Sequence, residues 1–258
     1  IITNRNEYAF DTTEDYNKSV DKAFDVVLSK EKGLRKEEVE QAVLLEKERT
    51  KKAFEDYENI FCVTITSSLS GSYNSAYGAA KEYMEKYPER HVLVIDSLST
   101  GPECALVIEK LGTLINEGKD FDEISAEIKE YQKHTHLIFA LESMHNLANN
   151  GRGSPIVAKL AGVIGIRIVG KASDEGTLEI MNKSRGAKRM LEDIIDNMKK
   201  TGCSGKVRIH HCENPAVSEK LEALIKETFP ETSVTISTVG GLCGFYAERG
   251  GVLIGYES

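Results

Sequence analysis

Two serine-rich stretches, "SSLSGS" at residues 67–72 and "DSLSTG" at residues 96–101, each follow a short apolar run. Hydroxyl and backbone N–H groups hold an anion or a strongly polar group without needing a full positive charge. Gly71 allows close backbone approach, and a helix that starts near Tyr73 would direct its positive end at the same place. The predicted binding residues in these stretches are Ser67, Ser70, Gly71, Ser72 and Ser97.

Helix capping is the simpler role for any one of these serines, but a cap needs only one hydroxyl per helix. Neither stretch has the lysine of a Walker A loop, and the nucleophile-elbow pattern G-x-S-x-G is absent. Two alternatives stay open: a serine-dependent acyl hydrolase that uses Ser70 with His210 or His211, and a module that binds a phosphorylated metabolite. The cysteines and histidines lack ligand spacing, so we predict no metal site. We also predict no cofactor and no catalytic residue.

Arginines supply the candidate cations for an anion site. Arg185, in "NKSRGAKR", lies where a predicted strand passes into a helix, and a cation is less favourable at that end of a helix. We therefore predict that Arg185 binds a ligand, while Arg152 lies between two glycines in "NNGRGSP". Tyr246, in "CGFYAERGG", is either a core aromatic or a hydrogen-bond donor that points into a cleft.

From residue 60 onward, short apolar runs alternate with amphipathic helices, which predicts parallel strands joined by helical crossovers. Asp120 and Glu123 have capping-box spacing for a helix that ends near Tyr131. "HLIFAL" is predicted as the next strand of this half. The charged stretch at residues 11–59 predicts one long, mostly solvated helix.

The pattern of elements changes after residue 149. Two strand-like runs flank "DEG" at 174–176, which predicts a hairpin and hence antiparallel sheet, with further strands and two helices on one face. We also predict two strands around Tyr246 to Gly251. The fold class is therefore α/β, with a parallel-sheet domain at 1–149 and a second, α+β domain with an antiparallel sheet at 150–258.

Composition narrows the function classes. The 258 residues carry a net charge of −8, with 40% hydrophobic and 29% charged residues, so no basic field is available for nucleic acid. The five cysteines are scattered and odd in number, which is typical of reduced thiols. No apolar run approaches the ~18 residues of a membrane span, and no signal peptide opens the chain. We expect a cytoplasmic protein of bacterial style.

The chain from about residue 60 to 257 resembles the DegV family of bacterial lipid-binding proteins. Four segments carry the resemblance in the family's order: "TITSSLSGSYNSA", "VIDSLSTGPE", "LANNGRGSPIVAKLAGVIGIRIVGKASDEGTLEIMNKSRG" and "CGFYAERGGVLIGYE". Members of this family include the fatty-acid-carrying subunit of bacterial fatty acid kinase.

The resemblance implies a two-domain protein that binds one long-chain fatty acid between its domains. Ser70, with Gly71 and Ser72, would hold the carboxylate, and Arg185 and Tyr246 would add to the site. The acyl tail would lie in an apolar tunnel against "KLAGVIGI" at 159–166. In fatty acid kinase the binding subunit does no chemistry and presents the carboxylate to a separate ATP-using subunit, so such a kinase is the implied partner.

Three departures from the family pattern bear on the head-group site. Tyr246 stands where many members have the histidine of H-x-G-P-G, and a tyrosine donates a hydrogen bond but carries no charge near neutral pH. The family's T-S-x-P-S loop has no match before Phe61. The opening T-D-S strand is not evident in "IITNRNEYAFD".

Overall fold

The computed structural model of the protein describes residues 2–3, 57–152 and 165–258. Residues 11–56 of the predicted long helix and most of the apolar stretch at 159–166 lie outside these residues, and the last three positions of that prediction, 57–59, are not helical. None of the helices in the described ranges is long and apolar enough to cross a membrane. The chain divides into two compact units; in the described ranges, the first holds 2–3, 57–62 and 77–94, and the second holds 63–76, 95–152 and 165–258.

The first unit is built around a three-stranded sheet in the order β1-β2-β3. Strand β1 runs antiparallel to β2. The hydrogen bonds from His91 N to Glu58 O and from Ser97 N to Thr64 O join residues at the same sequence separation. Strands β2 and β3 are therefore parallel. Ile60, Ala80 and Val92 form the core of this unit. The elements are β1 (Ile2–Thr3), β2 (Asn59–Thr64), α1 (Ser72–Lys86) and β3 (His91–Asp96); β2, β3 and α1 continue into the second unit.

The second unit contains a six-stranded sheet in the order β6-β5-β4-β9-β7-β8. All neighbouring pairs are antiparallel except β7 and β8. A 3-10 turn at Gln132–His134 precedes β4. The elements are α2 (Pro102–Asn116), α3 (Phe121–Tyr131), β4 (Thr135–Leu141), α4 (His145–Asn149), β5 (Ile166–Ala172), β6 (Leu178–Arg185), α5 (Gly186–Thr201), β7 (Ser204–His211), α6 (Pro215–Thr228), β8 (Ser233–Thr238), α7 (Gly241–Ala247) and β9 (Val252–Glu257).

The side chains of strand β4 point alternately to the two faces of this sheet. Ile138 and Ala140 belong to the core beneath α5 and α6. Leu137, Phe139 and Leu141 belong to a second apolar cluster on the opposite face, together with residues of α4 and α7. A run that is apolar at every position is therefore a strand buried on both sides.

Helix α2 covers part of that second face. Its Leu106 and Leu111 are fully buried, and its Glu109 forms two hydrogen bonds of 2.6 Å with the Arg208 guanidinium of β7. Burial alone would raise the pKa of the Glu109 carboxyl, but the hydrogen bonds and charges of Arg208 and Lys206 together lower it. A bidentate pair of this kind fixes the helix on the sheet in one orientation.

The elements predicted around residues 60–131 and the hairpin are confirmed. Asp120 Oδ1 accepts from Glu123 N at 2.8 Å and Glu123 Oε2 accepts from Asp120 N at 3.0 Å, which completes the capping box. The mixed α/β fold with a second, largely antiparallel sheet is also confirmed. Strand β4, however, pairs with β5 and β9 and so belongs to the larger sheet. The division of domains at residue 149 stays a prediction.

Three details differ from the sequence-based expectation. Strands β7 and β8 are parallel, because helix α6 returns the chain to the same end of the sheet. Helices cover both faces of the sheet, since α2 packs opposite α5 and α6. The segment before Glu248 is the helix α7 and not a strand, because Cys243, Tyr246 and Ala247 at i, i+3 and i+4 turn one face toward the sheet.

Candidate functional site

The two serine-rich stretches follow β2 and β3 and are joined to each other by hydrogen bonds. The Asp96 carboxylate accepts from Ser67 N and from Leu98 N, both at 3.1 Å. Thr66 N donates to Ser99 O at 2.8 Å. Because parallel strands end at the same edge of a sheet, residues about 30 positions apart in the sequence lie side by side on one surface.

The tip of the β5–β6 hairpin packs on these loops. Ser68 Oγ donates to Glu175 O at 2.7 Å. Gly176 has a φ of +73°, and a Cβ added there would lie 2.0 Å from Thr66 Oγ1. Only a glycine can lie this close to Thr66. Gly176, one of the turn residues that predicted the hairpin, therefore also allows the hairpin tip to contact the loops.

Beside these loops lies an apolar cavity of about 140 Å³, within the second unit. An apolar cavity of roughly this volume holds a group the size of benzene. Its walls come from the Ser70 loop, β4, α4, β6, α7 and β9, and therefore from both halves of the chain. The apolar lining residues are Ile65, Leu69, Leu137, Phe139, Leu141, Leu147, Leu178, Leu242, Cys243, Ala247 and Leu253.

Four lining residues carry polar groups: Ser70, Thr100, Arg152 and Tyr246. Ser70 Oγ accepts from Ser72 N at 3.2 Å, so this hydroxyl lies at the start of helix α1. A mainly apolar wall with a few polar groups is the usual composition of a site for a small, amphipathic molecule.

Arg152 is held against the Ser70 loop by its own hydrogen bonds. Its Nε donates to Leu69 O at 3.1 Å and its Nη1 donates to Asn150 O at 2.7 Å. Neither bond uses Nη2. These carbonyl contacts orient the guanidinium at the cavity, so a cation stands beside the predicted hydroxyls. In the sequence, Arg152 is conspicuous because it lies between two glycines. Its distance along the chain from residue 70, however, gave no reason to place it in the same site as Ser70.

The structure places the predicted site residues in three groups. Ser70 and Tyr246 line the cavity. Gly71 and Ser72 are exposed directly after Ser70, and Ser67 is exposed with its backbone N–H bound to Asp96. Their roles in ligand binding stay predictions.

Ser97 and Arg185 lie elsewhere. Ser97 is buried, where its Oγ donates to Ser99 O at 3.0 Å and accepts from Ser99 N and Cys104 Sγ, both at 3.2 Å. That hydroxyl is used within its own loop. Arg185 is exposed at the end of β6, opposite Ile166 of β5, and is not among the described residues that line the cavity.

The two histidines of the hydrolase alternative lie on β7. His211 Nδ1 accepts from Asn214 N at 3.2 Å. Burial, aided by the charge of Arg208, lowers the pKa of His210. Neither ring lines the cavity beside Ser70. In the described ranges, no group of three or more His, Cys, Asp or Glu residues is arranged to hold a metal ion.

Burial also perturbs two groups near the site. It raises the pKa of the Cys243 thiol, although a hydrogen bond with Thr100 opposes the rise. It raises the pKa of the Glu103 carboxyl, which accepts from Thr135 Oγ1 at 2.8 Å. The raised pKa leaves little thiolate on Cys243 at neutral pH, so this thiol does not resemble an activated nucleophile.

Comparison with known proteins gives the class to which this fold and cavity belong. Residues 14–258 match the family model described as uncharacterised protein, DegV family. A DegV domain-containing protein of Streptococcus pneumoniae is 44% identical over 207 residues, which cover 80% of this chain and 74% of that protein. The chain therefore belongs to the DegV family.

Two solved structures resemble the chain closely. One is the B3 protein of the fatty acid kinase of Streptococcus pneumoniae, loaded with linoleic acid: identity is 44%, 81% of this chain and 75% of that chain are covered, and the TM-score is 0.78. The other is a DegV family protein of Eubacterium eligens, loaded with heptadecanoic acid: identity is 39%, coverage is 100% and 90%, and the TM-score is 0.79.

Proposed function

We propose that this protein binds one long-chain fatty acid, with its carboxylate at the Ser70 loop and the adjoining segment of its tail in the apolar cavity. The observation that carries this proposal is the cavity itself, whose apolar wall is interrupted by Ser70, Arg152 and Tyr246. Two similar proteins of the same family hold fatty acids in their structures. An apolar wall with a cation and hydroxyls suits an amphipathic anion better than a phosphorylated metabolite.

The carboxylate is assigned to Ser70, Tyr246 and Arg152. The guanidinium supplies the charge, the two hydroxyls donate hydrogen bonds, and the N–H groups at the start of α1 add a favourable dipole. Gly71 contributes its backbone N–H group at that helix start, whereas the N–H of Ser72 donates to Ser70 Oγ and so orients that hydroxyl. Ser67 and Ser97 have structural partners that favour a supporting role in the loops.

The cation assignment is tested directly by comparing two arginines. Arg152 lines the cavity, whereas Arg185, the ligand expected from the family resemblance, is exposed at the end of β6. Arg152→Ala is expected to weaken fatty-acid binding and Arg185→Ala to leave it nearly unchanged. The reverse result would show that Arg185, and not Arg152, binds the carboxylate.

We assign the protein a carrier role without chemistry of its own, in which the bound carboxylate is presented to an ATP-dependent fatty acid kinase subunit. The likeness to a protein of fatty acid kinase supports this role. We place it in the cytoplasm, where thiols such as its five free cysteines are kept reduced.

Native mass spectrometry of the purified protein, followed by lipid extraction, tests the binding function. One acyl ligand per chain, exchangeable with added palmitate or oleate, is the expected result. A protein without ligand that also fails to take up either acid would overturn the proposal. A fluorophosphonate probe separates the carrier from a serine hydrolase, because only the hydrolase would carry the probe on Ser70.

A further inference from the structure

We propose that Phe139 and Gly170 together determine how much of an acyl tail the cavity accepts, a specificity role that rests on the fatty-acid-binding function proposed above. Phe139 is the large aromatic residue in the cavity wall contributed by β4, and only 3% of it is exposed. Its position in the middle of a central strand holds it more rigidly than a loop would.

Three adjacent strands place three residues in one row across the sheet. Phe139 of β4 pairs with Gly170 of β5, and Gly170 pairs with Ile180 of β6. The register between β5 and β6 shifts at Gly170, which leaves Met181 as an extra residue on β6. Ile180 consequently lies on the cavity face while Met181 packs on the opposite core.

The Phe139 ring occupies the space that a side chain at position 170 would need. A Cβ added to Gly170 would lie 2.2 Å from Phe139 Cζ and 2.6 Å from Phe139 Cε2. The φ of Gly170 is not in the left-handed region, so backbone conformation does not require glycine here. Close approach of the ring and of Glu179 O, 2.4 Å from the same added Cβ, is what excludes a side chain.

The volume of the cavity therefore depends on the size of the side chain at position 139. Because residue 170 is a glycine, the Phe139 ring packs against the backbone of β5. A ring that pointed into the cavity would fill part of its volume. A smaller side chain at 139 would lengthen or deepen the space available to the tail. Each further methylene that becomes buried strengthens binding roughly fourfold, so a small change in depth alters the order of preference among chain lengths.

The test is a competition among hexadecanoic, octadecanoic and eicosanoic acids, read by native mass spectrometry of the full chain. Phe139→Ala is expected to raise the ratio of eicosanoic to hexadecanoic acid by about tenfold, and Phe139→Leu by a smaller factor in the same direction. Phe139→Leu keeps an apolar side chain in the core, so the test does not depend on whether the alanine variant folds. Ile138→Ala is the matched control, because Ile138 is the next residue of β4 and packs on the opposite face.

An unchanged ratio in both Phe139 variants, or an equal change in Ile138→Ala, would overturn the inference while leaving fatty-acid binding in place. A wild-type protein that binds none of the three acids would overturn the proposed function and the inference with it.

Discussion

Arg152 donates from Nε to the carbonyl oxygen of Leu69 at 3.1 Å, across 83 positions of the sequence. This bond holds a guanidinium next to Ser70, whose hydroxyl lines the same cavity. This relation is the basis for proposing Arg152, and not Arg185, as the cation of the head-group site, and it gives that proposal a measurable consequence.

Replacing Arg152 by alanine should raise the Kd for palmitate by about tenfold, the low end for a charge-assisted hydrogen bond, since the arginine is exposed. Arg152→Lys should recover part of the loss because the charge is kept and the fork of donors is lost. Isothermal titration calorimetry at two salt concentrations measures both. In Arg185→Ala the Kd should change by about twofold or less, as for other surface substitutions; a tenfold loss there would contradict the assignment.

Gly176→Ala should destabilise the protein and weaken palmitate binding together, because the hairpin tip would be forced off Thr66. The matched control is Gly118→Ala: its φ of +75° is nearly the same as the +73° of Gly176, but no atom lies within 4 Å of the added Cβ. Both variants lose about 1–2 kcal/mol for a left-handed backbone. Urea denaturation should show a larger loss for Gly176→Ala, and equal losses would mean that the contact with the loop is unimportant.

Stability should respond to pH through Glu103. In the unfolded chain this carboxyl ionises near pH ~4.3, whereas burial raises its pKa in the folded protein. Between the two pKa values the folded state binds more protons, so the free energy of unfolding falls as the pH rises. The free energy of unfolding of Glu103→Gln, taken relative to that of wild type, is therefore expected to be higher at pH 8 than at pH 4. The same difference at both pH values would refute this.

Glu109 should behave with the opposite sign. Its folded pKa is lowered, so its contribution to stability is present above the unfolded pKa and is lost as the pH falls. Glu109→Gln should therefore cost more stability at pH 8 than at pH 4, measured in the same denaturation series. A cost that grows toward acid pH would show that the Arg208 pair is not what holds α2 on the sheet.

Thiol reactivity offers a readout of the cavity that needs no affinity measurement. Burial raises the pKa of the Cys243 and Cys212 thiols, and only Cys243 lines the cavity. Alkylation by iodoacetamide at pH 8, followed by peptide mass spectrometry, should be slow at both because little thiolate forms. Palmitate should slow Cys243 further and leave Cys212 unchanged; equal protection of both would indicate a general stabilisation and not a filled cavity.

Much of the fold was predictable because its signals are local. The Asp120 capping box, the turn before Gly176 and the apolar run of β4 each depend on residues a few positions apart. The helix α7 was missed because aromatic residues and glycines suit a strand or loop by propensity, while packing against the sheet favours a helix.

The sequence by itself determined that hydroxyl-rich loops follow two parallel strands, since strand ends and residue chemistry are encoded locally. It made Ser70 a candidate ligand by its chemistry and Tyr246 a candidate through the family resemblance, and both roles stay predictions. Only the tertiary structure decided that Arg152 is hydrogen-bonded to the Ser70 loop while Arg185 is exposed at the end of β6, that Ser97 is used within its loop, and that the Phe139 ring lies over Gly170. These relations depend on how distant segments meet, and one sequence carries no measure of the distance between them.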